Sequence, residues 1–420
     1  MATPALVVTA ADVDAAAARL ADQLEPTPVT GSPALDAVTG TDVLVKLENL
    51  QRTGSFKERG ACNRLLLLSR DERARGVIAM SAGNHGQALA FHAARIGVPC
   101  TVVMPEHAPF VKVARTAALG ARVVQHGADL TEARRHADDL AAAEGLVYVS
   151  PYDDPAVIAG QGTLALELLG AHPELDVLVV PVGGGGLIAG IAVAARALAP
   201  DLEIVGVQAA ACASMVAALR GTPFEAEDTV ADGIAVREPG KLTLPIIREL
   251  VADVITVTEA SIEAAISTYL EVARVVAEGA GAAPLAAVME HPDRFRGRHV
   301  GLVLSGGNVD TRLLASVIMR SLARSGRLTR LAVEIPDVPG ALASVAEIVG
   351  AVGANIVEVS HRRDVPTIEL KEARLELVVE TRDRGHLDEL RAALESAGYT
   401  VTVEPVGVAT PRGPGQSVSS

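Results

Sequence analysis

Lys57 stands in the run Gly54-Ser55-Phe56-Lys57-Glu58-Arg59-Gly60, framed by glycines and a hydroxyl just ahead of an apolar stretch. A lysine that loses water around it sheds its proton more easily and can then bond a carbonyl carbon. Phe56 supplies an apolar wall beside it. Arg59 is either a nearby cation or an ion-pair partner at the surface. A second segment, Ser81-Ala82-Gly83-Asn84-His85-Gly86, offers a hydroxyl, successive backbone N–H groups and an amide ahead of a helix. Such a loop is a nest for a carboxylate or phosphate, although Ser81 or Asn84 would equally serve as a plain helix cap. His85, in the first helical turn, is either catalytic or structural. A third segment, Val182-Gly183-Gly184-Gly185-Gly186-Leu187, sets four glycines between a strand-like and a helix-like run. Phosphate binds well at a helix start, and glycine lets the backbone approach the anion. An amine for an aldehyde, a polar loop and a phosphate cradle are what an aldehyde-bearing phosphate cofactor needs.

Other phosphate chemistry fits less well. Gly184-Gly185-Gly186-Leu187-Ile188-Ala189 matches a dinucleotide fingerprint, but the following strand, Glu203–Val207, runs into Gln208-Ala209-Ala210 without the acid that holds a ribose. A nucleotide P-loop run is absent from the sequence.

The elements that must position these residues follow from patterning. The chain opens with an amphipathic helix (11–24) and a short strand (43–47). Helices at 61–68, 85–96, 111–119 and 130–144 then alternate with strands at 76–80, 100–104, 121–124 and 146–149. After Pro151-Tyr152-Asp153 the alternation resumes, with strands at 177–182, 203–207, 254–257 and 299–304. Short Val-rich strands between Ala-rich helices predict parallel sheet, here as two α/β lobes with a cleft between them. Ligands in such sheets sit at the carboxyl ends of strands. The Ser81, Gly183 and Ser305-Gly306-Gly307-Asn308 segments each follow a predicted strand. Beyond a linker at Ser325-Gly326-Arg327 the pattern becomes βαββαβ, with strands at 330–335, 356–361, 369–380 and 400–403 and helices at 341–352 and 386–397: a separate small α+β unit. The Pro/Gly/Ser-rich tail from Thr410 to Ser420 is expected to be disordered.

Composition narrows the function classes. The 420 residues are 49% hydrophobic and 21% charged, which suits a soluble globular protein. A net charge of −14 argues against nucleic acid or an anionic membrane as partner, and 2% aromatic residues without tryptophan leave little for base stacking. Cys62, Cys100 and Cys212 are odd in number and not metal-spaced, so they read as buried free thiols in a reducing cytoplasm. The N-terminus lacks a signal-peptide pattern. The uncharged stretch 177–195 is interrupted by Pro181 and the glycines, so it reads as strand, loop and helix rather than a membrane span.

Taken in order, the Ser55–Ala61, Ser81–Gln87, Gly183–Leu187 and Ser305–Asn308 runs resemble the motifs of the fold-type II pyridoxal-phosphate enzymes. The likeness is closest to the threonine ammonia-lyases (threonine dehydratases), whose relatives include serine dehydratases and serine racemases. It covers residues 1–405. Pro336-Asp337-Val338-Pro339-Gly340 and Gly353-Ala354-Asn355-Ile356 resemble an ACT domain, a module that commonly pairs and binds small effectors, often amino acids. The resemblance implies a tryptophan-synthase-β-like catalytic domain over 1–325, with a small lobe at about 55–150 inserted in the large one. It implies an ACT domain over 329–405 and leaves 406–420 as tail.

The resemblance also implies roles. Lys57 forms a Schiff base with pyridoxal phosphate, Phe56 packs by its ring, and Asn84 bonds its phenolic oxygen. Backbone N–H groups of Gly183, Gly184, Gly185, Gly186 and Leu187 hold the phosphate. Ser305 meets the pyridine nitrogen; a serine there leaves the ring neutral, which favours β-elimination over transamination. Ser81, Ala82, Gly83, Asn84 and His85 receive the substrate carboxylate, and Gly340, Asn355 and Ile356 are candidate effector contacts. A divalent-cation site known in serine-racemase-like members is not expected, because Gly206–Ser214 lacks its carboxylates. The implied activity is dehydration and deamination of L-threonine to 2-oxobutanoate and ammonia, with L-serine as a secondary substrate, in a cytoplasmic homo-oligomer, tetramer or dimer. The alternative is serine or hydroxyaspartate dehydration, or racemisation, on the same site.

Overall fold

A computed structural model of the chain describes residues 6–363 and 371–404. The expected disordered tail, and the start of the strand expected at 369–380, lie outside the described residues. The chain divides into two compact units, residues 1–309 and 310–420.

The strands of the first unit are β1 (Val29–Gly31), β2 (Asp42–Leu47), β3 (Val77–Met80), β4 (Cys100–Met104), β5 (Arg122–Gln125), β6 (Val147–Tyr148), β7 (Val177–Pro181), β8 (Glu203–Ala209), β9 (Asp253–Val257) and β10 (His299–Leu304). They form two sheets. One has the order β1-β2-β10-β7-β8-β9 and is parallel except for the edge strand β1. The other, order β5-β4-β3-β6, is wholly parallel. Its residues fall between β2 and β7, so the small lobe is an insertion in the large one.

Parallel sheets covered on both faces read as continuous apolar runs. Accordingly every residue of β7 and β4 is buried. The segment expected as strand, loop and helix over 177–198 is β7, the glycine loop and the helix Gly186–Leu198. Among the described residues, no helix is long and apolar enough to cross a membrane.

Strand order brings the predicted segments to the cleft. β7 lies between β10 and β8, so the loops after β7 and β10 diverge from neighbouring strand ends. These loops carry Gly183–Gly186 and Ser305. In the small sheet β3 lies between β4 and β6, and the loop after it carries Ser81–Gly83. Both positions are topological switch points, where the chain leaves a crevice for ligands.

In the second unit, helix Thr311–Arg324 leads into a four-stranded antiparallel sheet of β11 (Leu328–Pro336), β12 (Asn355–Arg362), β13 (Glu372–Glu380) and β14 (Thr400–Glu404), in the order β12-β13-β11-β14. Helices Ala341–Val352 and Arg384–Ser396 complete the βαββαβ pattern. Alternate residues of β11 and β13, among them Leu331, Val333, Leu375 and Leu377, bury a core against Val345, Val349 and Leu390. Each such side chain contributes about 1.5–3 kcal/mol by leaving water.

Candidate active site

Lys57 opens the helix Lys57–Leu66. The sequence pattern starts this helix at Ala61; it begins four residues earlier because tertiary pairing fixes its start. Gly54, at φ 76°, turns the chain, Ser55 bridges to Gly306, and Phe56 N donates to Ser305 O at 3.0 Å. Glu58 then folds back, accepting from Thr53 N and meeting His92 Nε2 at 3.0 Å. Two glycines let the helix cross closely over helix Pro155–Ala171: a Cβ on Gly160 would lie 2.7 Å from Arg59 O, and one on Gly60 2.8 Å from Val157 O. The amine is therefore held from both sides.

Lys57 Nζ donates to Pro151 O at 2.8 Å and stands 4.9 Å from the Phe56 ring centre. Burial lowers its pKa to about 8, opposed by the charge of Glu278. Arg59 is neither a cation of the site nor a surface residue. It is 1% exposed and forks onto Glu48 (2.7 and 2.8 Å) and Glu167 (2.6 and 2.9 Å). Glu167 also takes Lys46 Nζ at 2.6 Å. These charges lock the helix to β2 and to helix Pro155–Ala171.

Phe56, Lys57, Asn84, His85, Gly183, Gly184, Gly185, Gly186, Leu187 and Ser305 all line one cavity of about 140 Å³. Ser81, Ala82 and Gly83 are not part of that lining. Ser81 Oγ instead accepts from Gly83 N at 3.2 Å and Gly86 N at 3.1 Å, which caps the helix Asn84–Arg95 and fixes the first turn that does reach the cavity. Ser305, 2% exposed, also lines the cavity, next to Phe56, whose N–H donates to its carbonyl.

His85 Nε2 lies 2.9 Å from Val149 O. A carbonyl only accepts, so Nε2 carries the proton. Burial, then the charge on Lys57, pushes the ring's pKa down to about 3. The neutral ring leaves Nδ1 bare, and this buried atom has no partner among the described residues. A substrate carboxylate would meet the backbone N–H here, and the ring would accept from a donor.

The glycine loop is a cradle with free donors. Gly185, at φ 94°, starts the helix Gly186–Leu198. A helix start leaves its first N–H groups unpaired, and those of Gly183 to Leu187 donate to no described backbone acceptor. A Cβ on Gly186 would lie 2.8 Å from Tyr152 Cα. The outer side is braced where Gly184 O accepts from Thr243 Oγ1 at 2.6 Å and Gly240 N at 3.1 Å. Free N–H groups beside an amine that is readily neutral suit an aldehyde-bearing phosphate.

Tyr152, Ile234, Val236 and Glu278, which the sequence did not single out, also line the cavity, together with Pro151, Pro181, Gly233 and Ala280. Glu278 precedes the helix Gly279–Glu290, and its only local signal is a lone acid flanked by alanine and glycine. Burial raises its pKa to about 7 although Asn84 donates to it. The approach to it is unusual: a π-turn at Tyr269–Ala273 ends on Arg274 at φ 58°, a combination often found near functional sites.

The chain matches the family profile described as "Pyridoxal-phosphate dependent enzyme" over residues 20–306. It belongs to that family. Pyridoxal phosphate is accordingly the cofactor of this pyridoxal-phosphate dependent enzyme. Residues 329–398 match the ACT domain. A curated relative, the L-threonine ammonia-lyase of Thermotoga maritima, is 42% identical over 400 residues, covering 94% of this chain and 100% of the relative. Among solved structures, the processed form of threonine deaminase isoform 2 from Solanum lycopersicum is similar at TM-score 0.69 and 35% identity, over 73% of this chain and 90% of that one. Serine racemase from Dictyostelium discoideum is similar at TM-score 0.68 and 37% identity, over 72% and 99%.

In the second unit, Gly340 (φ 93°) and Asn355 flank the two ends of helix Ala341–Val352. Its 12 residues hold them about 18 Å apart. Ile356 packs on the core, and Asn355 Nδ2 donates to Glu380 Oε2 at 3.4 Å.

Proposed function

We propose that the protein removes the hydroxyl and amino groups of L-threonine, yielding 2-oxobutanoate and ammonia, with L-serine to pyruvate as a slower second reaction. The observation that carries this is the Lys57 amine, with a pKa of about 8, in a cavity that also holds the free glycine N–H groups and Ser305. Bound pyridoxal phosphate supplies an electron sink for the pair left on Cα when its proton departs.

The chain's own residues do the rest. Lys57 Nζ, readily neutral, takes the Cα proton. The Gly183–Leu187 N–H groups hold the phosphate. Ser305, a hydroxyl and not a carboxylate, can pair with the ring nitrogen without charging it. Asn84 offers an N–H to the phenolic oxygen, and the backbone at Asn84 and His85, with its helix dipole, favours the substrate carboxylate. Ile234, Val236 and Leu187 give an apolar wall suited to a β-methyl group.

Curated relatives named for threonine deamination support this reading over the serine racemase alternative. We read residues 1–325 as the catalytic domain and 329–405 as an ACT domain that binds an amino-acid effector. A single effector site using both Gly340 and Asn355 would need a second copy of the chain, which supports a homo-oligomer. A cytoplasmic location fits three buried free cysteines.

The test is keto-acid formation by protein loaded with pyridoxal phosphate. Threonine should give 2-oxobutanoate, serine should give pyruvate more slowly, and Lys57→Ala should give neither. Conversion of L-serine to D-serine without keto acid from threonine would overturn the reading.

A further inference from the structure

Asn84 is gripped on both sides by groups that specify which way its amide faces. Asn308 Nδ2 donates to Thr53 O at 2.6 Å and to Asn84 Oδ1 at 2.8 Å. Asn84 Nδ2 donates to Glu278 Oε1 at 2.7 Å. The polarity of this run is forced. Thr53 O is a backbone carbonyl and can only accept, so the Asn308 amide must present nitrogen to it. The second Asn308 N–H then points to Asn84 Oδ1 at 2.8 Å, which accepts it. With Asn84 turned over, nitrogen would face nitrogen at Asn308, and oxygen would face the Glu278 carboxyl, which repels it when ionised. Glu278 is itself anchored, since its backbone N–H donates to Gly306 O at 3.1 Å and Val276 O accepts from Asn49 Nδ2 at 3.1 Å.

The geometry points to Glu278 as a positioning residue: by accepting one Asn84 Nδ2–H, and with Asn308 holding Oδ1, it leaves the other N–H of that amide as the donor to the cofactor's phenolic oxygen. The inference rests on the cofactor assignment, but the chain Thr53–Asn308–Asn84–Glu278 is built entirely from the protein's own groups. Glu278 acts through Asn84. An amide held by neither neighbour rotates about its last torsion and presents oxygen as readily as nitrogen, and oxygen facing a phenolate repels it.

The test has two arms. The chain has five asparagines, so selective ¹⁵N-asparagine labelling resolves the Asn84 and Asn308 side-chain amides in cofactor-free protein. Glu278→Ala should speed hydrogen exchange at the Asn84 amide about tenfold, the effect of losing one hydrogen bond. Glu278→Gln, which keeps an accepting oxygen, should restore much of the protection. In the second arm, the absorption of the bound cofactor and its affinity are measured in Glu278→Ala, Asn84→Ala and the double variant. Each single variant should shift the absorption alike and weaken binding about tenfold, and the double should add nothing further. Asn308→Ala cuts the chain from the other side and should behave like Glu278→Ala. Unchanged Asn84 exchange in Glu278→Ala, or single-variant effects that sum in the double, overturns the proposal. Loss of cofactor uptake by the wild-type protein would instead strike the cofactor assignment, leaving the exchange arm to decide the role of Glu278.

Discussion

An ordinary lysine amine has a pKa near 10.5, whereas burial brings Lys57 to about 8. At pH 7 the neutral fraction of an ordinary amine is about 0.03%, and that of Lys57 about 10%, a gain of roughly 300-fold in the nucleophilic form. The perturbation is pH itself, applied to cofactor-free protein. Trace labelling with acetic anhydride, read by mass spectrometry at the Lys57 peptide against a free-amine standard, reports the neutral fraction. Labelling should rise about tenfold per pH unit below 8 and level off above it. Cofactor capture should follow the same curve, because the same lone pair attacks the aldehyde. Glu278→Gln isolates the electrostatic contribution. Its negative charge raises the Lys57 pKa, so removing it should move the midpoint lower still. A Lys57 midpoint at 10 or above would refute the claim that burial prepares this amine. A midpoint that rises in Glu278→Gln would refute the electrostatic part.

Arg59→Ala should cost about 3–5 kcal/mol in urea unfolding, because Glu48 is left charged and fully buried; Arg59→Lys, which keeps the charge but loses the fork, should cost less. Gly186→Ala should push the loop off Tyr152, where its Cβ would lie 2.8 Å from Cα. The expected price is about 1–3 kcal/mol of strain, read as pyridoxal-phosphate binding at least tenfold weaker with unchanged far-ultraviolet dichroism. Thr243→Val removes the hydroxyl that bonds Gly184 O at 2.6 Å and Gly240 O at 3.3 Å. It should weaken cofactor binding severalfold, consistent with about 1 kcal/mol, without altering the protonation of Lys57.

The alternation of strands and helices was legible because buried parallel strands are Val-rich runs, and β4, β10 and helix Leu130–Glu144 fall at the expected residues. Lys57, Asn84, Gly183–Leu187 and Ser305 were legible for a related reason. Each follows or caps an element whose end is marked by glycine or serine, so its local geometry is written beside it. The start of the Lys57 helix was not, because Ser55 and Phe56 are held by Gly306 and Ser305 rather than by their neighbours. Glu278 was not, because its meaning comes from Asn84, 194 positions away. Arg59 was misread for the same reason: its partners Glu48 and Glu167 reach it from two other elements, and nothing in Lys57-Glu58-Arg59 distinguishes a buried cation from a solvated one.

The set of chemical groups, and the strand ends that carry them, can be read along the chain, since strand period, glycine turns and helix starts are local properties. Their electrostatic state and orientation arise only once distant segments pack together. Burial between two lobes sets the Lys57 amine and the His85 ring at unusual pKa values, and a hydrogen-bond chain through Asn308 and Glu278 fixes the face of one amide. Both depend on which groups lie within a few ångströms, and that distance belongs to the fold, not to the order of residues.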